Sequence, residues 1–467
     1  MSEINTNPFL SGNFAPVHDE ADYVELIVKG KIPEELNGVY MRNGPNPAFD
    51  PISYTYPFDG DGMIHAIYLQ EGRASYRNRY VKTKALQAEQ QAGHAIYGGF
   101  AHPVIPDFEK HGLDENTVTR KNGAFIHIIR HANHYLAMSE SQPAYEITRE
   151  LVTLKEYCID SAAPVPLGPH TRFDPASGDL FLICYQLTPP YLIYFKINAE
   201  GKLVNKVPIE KSYSTMMHDF VLTKNYLIFV DCPAVLDITK HQNQQNMLSW
   251  KPDLGTRIGI MSRHDVNQKI KWIQTDPFFV FHFANAYEQD EKIIIDYVHH
   301  ASLEFGTSVK NKSWPTLHKI IIDLNTHKIK NIQLDDQSVE FPRIHENYNS
   351  LPSQFTYTIA RDLSLFDNSE SYFSFRHLIK YNTLTGENII HVFDKKYEID
   401  EAVFAPSLNS KYEDDGYLML YVYNRENNKS EFIILDAKDF TAEPLAIIEL
   451  PRRVPHGLHG SWLPDIF

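Results

Sequence analysis

The sequence predicts an all-β protein, a seven-bladed β-propeller with loops and short helices capping one face. Strand-sized apolar runs alternate with turns rich in Gly, Asn, Asp and Pro, as antiparallel strands do. Examples are DLFLICYQL (179–187), KIIIDYV (292–298) and GYLMLYVYN (416–424). A hairpin form, in which a polar turn joins two apolar strands, also recurs, with turns near residues 72, 149, 201, 267, 326, 386 and 439.

These seven turns follow one another at roughly even intervals of about 50 to 80 residues, which indicates repeated antiparallel units arranged as propeller blades. No Trp-Asp or Gly-His blade signature accompanies them, so a β-sandwich or barrel with ordinary hairpins is the alternative. A helix is expected only around ALQAEQQAG (85–93). Since no linker or shift in composition divides the chain, we expect residues 1–467 to form one domain.

Composition excludes several classes of protein. The 467 residues are 43% hydrophobic and 22% charged, which excludes a disordered or collagen-like chain. A net charge of -15 without basic runs argues against nucleic-acid binding. Cys158, Cys184 and Cys232 form neither a disulfide framework nor a CxxC metal motif.

The chain shows no secretory signal and no apolar run of membrane-spanning length. We therefore expect a soluble cytoplasmic protein. Composition leaves weak peripheral contact with a membrane open.

Four histidines stand out because each lies at the edge of an apolar strand that begins a new unit of the repeat. They are His170, His218, His282 and His459. First strands line the axis of a propeller, so four equivalent positions there would converge on one point. Four imidazoles at one point suit Fe(II), Zn, Cu or Ni.

Carboxylates accompany these histidines. Glu340 and Glu401 begin strands at the matching place in two other units, and Glu140 precedes the first of the four histidines. A metal-bound histidine usually donates its other ring N–H to a carboxylate. The alternative for each glutamate is a solvated charge at a strand end.

The chain resembles the carotenoid cleavage oxygenases, a family that includes stilbene-cleaving dioxygenases and a retinoid isomerase. The resemblance runs from end to end. Its N-terminal blocks are GVYMRNGPNP (38–47) and YPFDGDGMIHAI (56–67). The blocks that resemble the family's metal-ligand regions are GPHTRFDPASGDL (168–180), MMHDFVL (216–222), FHFANAY (281–287), EFPRI (340–344) and PHGLHGSWLP (455–464).

The resemblance implies a propeller with Fe(II) on its axis, held by the four histidines named above. By the family's pattern, Glu140, Glu340 and Glu401 would orient three of these histidines, leaving His170 without a carboxylate. His65 is expected to be structural. Arg42 and Asp59 are expected in an internal polar network rather than in catalysis.

Two features depart from the family's pattern. An additional histidine, His456, precedes His459, although the PxGxHG frame favours His459 as the ligand. Stilbene-cleaving members resemble one another in a lysine directly before the first outer glutamate, where it engages a phenol, and this chain has Ser139 there.

The function that we expect is dioxygenase cleavage of a conjugated C=C bond in a carotenoid or apocarotenoid, with O2 as co-substrate. A stilbene-cleaving dioxygenase is the first alternative. A retinoid isomerohydrolase and a metal-free propeller that serves as a binding scaffold are the others.

A lipophilic polyene needs an apolar tunnel. We expect its walls in the long inter-strand segments 232–257 and 341–375. Candidate aromatic residues there are Trp250, Tyr348, Phe355 and Phe366.

Overall fold

The computed structural model describes residues 7–112, 120–161, 163–303, 313–364 and 374–465. Within these ranges, seven antiparallel sheets of four to six strands follow one another along the chain. The seven-bladed propeller predicted from the hairpin repeat is therefore confirmed. The four histidines that the repeat singled out directly precede, or lie within three residues of, the first strand of a sheet, so we call these first strands the inner strands.

The bounds of the blades are given from the inner strand outward. Blade 1 comprises Gly460–Pro464, Gly38–Arg42, Met63–Gln70, Arg73–Tyr80 and Ala21–Tyr23. Blade 2 comprises His127–His131, His134–Met138, Tyr145–Ile147 and Thr153–Glu156. Blade 3 comprises Thr171–Phe173, Leu180–Tyr185, Leu192–Ile197 and Leu203–Pro208. Blade 4 comprises Val221–Leu222, Tyr226–Asp231, Thr256–Ser262 and Lys271–Thr275.

The remaining blades follow the same order. Blade 5 comprises Phe283–Gln289, Lys292–His299, Thr316–Asp323 and Ile329–Gln333. Blade 6 comprises Val339–Arg343, Phe355–Ala360, His377–Asn382 and Asn388–Val392. In blade 7, Val403–Pro406 and Tyr397–Ile399 both pair with Gly416–Asn424, and Lys429–Asp436, Ala446–Glu449 and Ile27–Gly30 follow. Two further two-stranded antiparallel sheets pair Gln142–Pro143 with Pro166–Leu167 and Ala234–Leu236 with Leu248–Trp250.

Both ends of the chain close the ring. The strand Gly460–Pro464 pairs with Gly38–Arg42 in register from Gly38 opposite Pro464 to Arg42 opposite Gly460. At the outer edge of blade 7, Ile27–Gly30 pairs with Ala446–Glu449. Blades 1 and 7 therefore each combine strands from the two ends, which ties the first and last blades together and covers exposed sheet edges.

Local sequence explains the individual hairpins. All six residues of Leu180–Tyr185 are buried, as its unbroken apolar run predicts for a strand covered on both faces. In the turn of the same blade, Gly201 has φ 82°, a left-handed conformation that glycine adopts without a steric penalty. The Asn198 side chain accepts a hydrogen bond from the Lys202 backbone N–H at 2.8 Å. This turn chemistry fixes the register of the two strands.

Two α-helices lie outside the blades in the described ranges. The expected one spans Lys84–Ala92, with Thr83 capping the N–H of Leu86 and Gly93 ending it at φ 77°. The other, Ile238–Gln242, lies inside the hairpin of segment 232–257. Within the described part of the chain, no helix has the length and apolar character needed to cross a bilayer.

The expectation that 341–375 is a long inter-strand segment is wrong for its described residues. That segment begins inside the inner strand Val339–Arg343 and contains the second strand of blade 6, Phe355–Ala360. The run FTYTIA has the alternation and β-branched content of a strand, which explains why it pairs within the blade.

Candidate metal centre

Four histidines from four blades converge at the centre of the ring. They are the predicted His170, His218, His282 and His459, and one ring nitrogen from each lies within 4.8 Å of the others. The Nε2 atoms of His170 and His218 are 2.9 Å apart. Residues far apart in sequence are brought together because each occupies an equivalent place in a repeated unit.

Three of the four imidazoles are oriented by a carboxylate through Nδ1. The pairs are His218 with Glu140 at 2.8 Å, His282 with Glu340 at 2.7 Å and His459 with Glu401 at 2.9 Å. Because an ionised carboxylate only accepts hydrogen bonds, Nδ1 carries the proton in each ring. Each Nε2 then presents a lone pair, which is the form in which histidine binds a metal.

His170 differs from the other three, since no carboxylate hydrogen-bonds to it among the described residues. Its ring packs against the rings of His218, His282 and His459 with centroid separations of 4.4, 5.1 and 4.5 Å. Burial, followed by the neighbouring histidines, lowers the pKa of His170 well below its usual value. This ring is therefore neutral and able to act as a ligand.

The four side chains fit a bound cation. With Nδ1 of His218 protonated, its Nε2 is an acceptor, so a proton or a cation must separate it from the Nε2 of His170. Nε2 of His282 is buried and has no hydrogen-bond partner among the described residues, a deficit that a metal would remove. A set of four imidazole ligands suits Fe(II), Zn, Cu and Ni alike.

Two of the carboxylates, Glu340 and Glu401, stay ionised although they are buried. Burial by itself raises the pKa of Glu401, but Arg343, whose Nη1 lies 3.7 Å from Oε1, and His459 bring it to about 2. The backbone N–H of Gly460 donates to the other carboxylate oxygen at 2.8 Å. An ionised carboxylate held in this way is a firm acceptor for the histidine N–H.

Sequence reasoning missed two residues that touch these carboxylates. His300 Nε2 lies 2.6 Å from Glu340 Oε1, and Arg343 faces Glu401. Opposing the effect of burial, His282 and His300 hold the pKa of Glu340 well below its usual range. Arg343 lies within the EFPRI block and could have been noticed there. His300 carries no comparable signal, because YVHH is an ordinary strand end.

An apolar cavity, here called the proximal cavity, lies against the cluster. Three of the clustered histidines, His218, His282 and His459, with Glu140 and Glu340, form its polar side. The other lining residues are Pro57, Phe58, Ile126, Phe281, His300, Phe341 and Leu458. Apart from its polar side and His300, the wall is apolar and suits a hydrocarbon.

A second, more polar cavity, here called the distal cavity, adjoins the first and shares Phe58, Ile126 and Glu140 with it. Ser139 lies in its wall, as does Asp59. Other polar lining residues are Ser53, Tyr54, Glu89, Tyr97, Arg120, Lys121, Gln142, Tyr185 and His241. The two cavities are therefore neighbours, and the one at the histidines has a more apolar lining than the one beyond it.

The aromatic tunnel residues proposed from sequence are wrong where the structure describes them. Trp250, Tyr348 and Phe355 line neither cavity, and Phe366 lies outside the described residues. Segment 232–257 contributes His241 and Met247 to the distal cavity. Most of the remaining wall comes from residues 47–60, 95–104 and 120–126, which carry no periodic pattern that would announce a tunnel.

The remaining histidines that sequence analysis discussed have structural partners. His65 is buried, with Nδ1 2.8 Å from the hydroxyl of Tyr76. His456 Nδ1 lies 2.6 Å from Asp400 Oδ1, away from the cluster, and Arg42 forms an ion pair with the same carboxylate. His456 therefore belongs to a buried polar network, together with Arg42.

Asp59 also serves a structural purpose. Its carboxylate accepts hydrogen bonds from the backbone N–H groups of Thr55 at 2.7 Å and Phe100 at 2.6 Å. These bonds tie together two of the segments that form the wall of the distal cavity.

The amino-acid sequence is similar to those of known proteins over nearly its whole length. A family model described as "Retinal pigment epithelial membrane protein" matches residues 14–464. The carotenoid 9,10(9′,10′)-cleavage dioxygenase 1 of Arabidopsis thaliana is 32% identical over 98% of this chain and 90% of its own length.

Solved structures agree with the fold. The lignostilbene dioxygenase of Pseudomonas brassicacearum superposes with a TM-score of 0.91 at 26% identity, covering 98% of this chain and 99% of its own. The cobalt-substituted Synechocystis ACO superposes with a TM-score of 0.86 at 28% identity, covering 96% of this chain and 97% of its own. Since the family match extends over nearly the whole propeller and its histidine cluster, the chain belongs to the family of the retinal pigment epithelial membrane protein and the carotenoid cleavage oxygenases.

Proposed function

We propose that the protein is a non-haem Fe(II) dioxygenase that cleaves a conjugated C=C bond of a carotenoid or apocarotenoid with O2, giving two carbonyl products. The observation that carries the proposal is the cluster of four imidazoles directly beside an apolar cavity. This combination brings a redox metal and a hydrocarbon into contact with little water between them.

In this proposal His170, His218, His282 and His459 hold the iron, and none of them brings a negative charge. When bound, Fe(II) supplies the redox chemistry that lets O2 react with an alkene. The three glutamates keep the proton on Nδ1 of their histidines, so that Nε2 faces the metal. The ligand geometry is thus set by blades that are already packed, before any substrate arrives.

The proposed cleavage requires no further cofactor and no acid–base residue. Cleavage breaks both components of the C=C bond, and each carbon takes one oxygen atom of O2, so the alkene supplies all the electrons. No proton is transferred overall, and no nicotinamide, flavin or external reductant is required. The residues of the proximal cavity, among them Phe281 and Phe341, align the bond and exclude water.

Substrate class is argued from Ser139 and the shape of the cavities. The Ser139 hydroxyl offers no cation to a phenol, whereas an apolar polyene needs only the apolar walls of the proximal cavity. We therefore place carotenoids and apocarotenoids first.

Stilbene cleavage is the second candidate. Two observations favour it: the TM-score of 0.91 against a lignostilbene dioxygenase and the polar lining of the distal cavity, which would suit a hydroxylated aryl ring.

One experiment tests the proposed function and separates the candidates. Anaerobically purified, iron-loaded protein is incubated in air with carotenoids, apocarotenals and hydroxystilbenes at equal concentration, and the carbonyl products are identified by mass spectrometry. We expect paired aldehydes or ketones from the polyenes. Paired aldehydes from the stilbenes alone would move the protein to the second candidate, and no carbonyl product from any of them would contradict both.

A further inference from the structure

His241 is a buried histidine without a hydrogen-bond partner among the described residues. It is 8% exposed, and neither Nδ1 nor Nε2 makes a hydrogen bond there. The residue lines the distal cavity, with Arg120, Met216 and Met247 in the same wall. A buried imidazole with two unsatisfied nitrogens costs free energy, and a ligand that bonds to it recovers that cost.

The fold holds His241 in this place. The helix Ile238–Gln242 is capped by Asp237, whose side chain accepts a hydrogen bond from the Thr239 backbone N–H at 2.9 Å. The hairpin Ala234–Leu236 with Leu248–Trp250 closes the base of the same segment. The side chain is therefore carried by an ordered element of segment 232–257.

The chemistry of this wall suits an oxygen atom. Burial lowers the pKa of His241, and the charge of Arg120 lowers it further, so the ring is neutral and offers one donor and one acceptor. Arg120 donates from Nη2 to the backbone carbonyl of Ser141 at 3.3 Å, and its Nε and Nη2 donate to the Gln142 side-chain oxygen at 2.7 Å in the favoured orientation of that amide. The guanidinium held in this way lines the same cavity. A hydroxyl group or a carbonyl oxygen matches this pair, whereas a hydrocarbon end leaves both nitrogens of His241 unsatisfied.

We propose that His241, assisted by Arg120, binds an oxygen substituent at one end of the substrate while the double bond lies in the proximal cavity. This inference rests on the proposed function and deepens it. The substrate is then an elongated alkene with one oxygenated end. Two sources supply such an oxygen: the terminal aldehyde of an apocarotenal and the ring hydroxyl of a hydroxystilbene.

The test measures binding rather than turnover. Dissociation constants are determined without O2, by quenching of tryptophan fluorescence in the metal-loaded protein, for two matched pairs of probes. One pair is trans-4-hydroxystilbene and trans-stilbene, and the other is an apocarotenal and the hydrocarbon in which methyl replaces its aldehyde. The two members of each pair differ only in the oxygen substituent. The ratio of their dissociation constants therefore measures how strongly the protein recognises that oxygen.

We expect the wild-type protein to favour the oxygenated member of at least one pair, and the pair that shows it identifies the source of the oxygen. In His241→Phe the dissociation constant of that member should rise about tenfold, as for one lost hydrogen bond to a buried group. Binding of the matched hydrocarbon should stay unchanged. Lys240→Ala is the control on the same helix, because the Lys240 ammonium bonds to Ser249 Oγ at 2.8 Å and Lys240 does not line the cavity.

The inference is overturned if the wild-type protein binds neither oxygenated probe more tightly than its matched hydrocarbon. It is also overturned if the ratio of dissociation constants within each pair is the same in His241→Phe as in the wild-type protein. Should the phenylalanine fail to fold, His241→Leu makes the same comparison without a second aromatic ring in the wall. Oxygen-dependent binding through His241 with no cleavage of any probe in air would contradict the proposed function and leave this inference standing. The two failures are thus distinguishable.

Discussion

His282 and His300 are joined through one carboxylate. Glu340 accepts a hydrogen bond from His282 Nδ1 on Oε2 at 2.7 Å and faces His300 Nε2 with Oε1 at 2.6 Å. His282 directly precedes the first strand of blade 5 and His300 directly follows the second, whereas Glu340 lies in the inner strand of blade 6. Because each carboxylate oxygen of Glu340 is hydrogen-bonded to a different ring, the carboxylate cannot rotate without breaking one of these hydrogen bonds. A contact between neighbouring blades thereby fixes one of the four imidazoles.

The first prediction concerns this carboxylate. Glu340→Gln replaces an acceptor-only group by an amide and should lower metal affinity by about 10–100-fold, since it loosens the tautomer and orientation of His282. Metal content after dialysis and a competition titration measure the change. Glu146→Gln is the matched control, because Glu146 Oε1 pairs with His134 Nδ1 at 2.5 Å outside the cluster. Equal metal affinity in both variants and the wild-type protein would contradict the orienting role.

The second prediction concerns metal-linked stability. A ligand that binds only the folded state at 100 times its Kd adds about 2.7 kcal/mol to the free energy of unfolding. Fe(II) should therefore raise the Tm of the wild-type protein measured under argon and fail to do so in His170→Leu. His456→Leu, which removes a histidine paired with Asp400 away from the cluster, should keep the metal-dependent rise. A rise of equal size in His170→Leu would show that the metal binds elsewhere.

How far the sequence predicts this site depends on whether a feature repeats. His170 and its three partners occupy equivalent places just before the inner strands of blades 1, 3, 4 and 5, so the hairpin repeat predicts that they meet at one point. His300 has no equivalent in the other blades and touches the site only because blade 5 packs on blade 6. The cavity walls came from irregular segments such as 47–60, whose course depends on long-range packing that no local pattern encodes.

The third prediction is a pH dependence. Arg343 and His459 overcome the effect of burial and bring the pKa of Glu401 to about 2, so this carboxylate is ionised through the ordinary pH range. In Arg343→Met the pKa of Glu401 should rise, because burial then lacks its main opposing charge. Protonation of Glu401 removes the acceptor for His459. The pH at which half of the metal is released should therefore be higher in the variant than in the wild-type protein, and an unchanged release curve would contradict this account.

The fourth prediction concerns Ser139. The wild-type protein should have a higher kcat/KM for apocarotenoids than for hydroxystilbenes. A charge-assisted hydrogen bond to a phenol contributes about 1.5–3 kcal/mol, so Ser139→Lys should raise kcat/KM for a hydroxystilbene at least tenfold relative to an apocarotenal. Competition assays with both substrates measure the ratio, and Ser139→Met controls for size without charge. Preferential consumption of the hydroxystilbene by the wild-type protein would refute the substrate preference and leave the metal centre untouched.

The central claim, oxidative cleavage of a C=C bond, is tested most directly by the fate of the oxygen atoms. Cleavage is run under ¹⁸O2 in ordinary water, and the products are reduced at once with borohydride so that their oxygen cannot exchange. A dioxygenase predicts one ¹⁸O atom in each of the two alcohols obtained. Two unlabelled products, or label in one of them with the other oxygen taken from water, would contradict it.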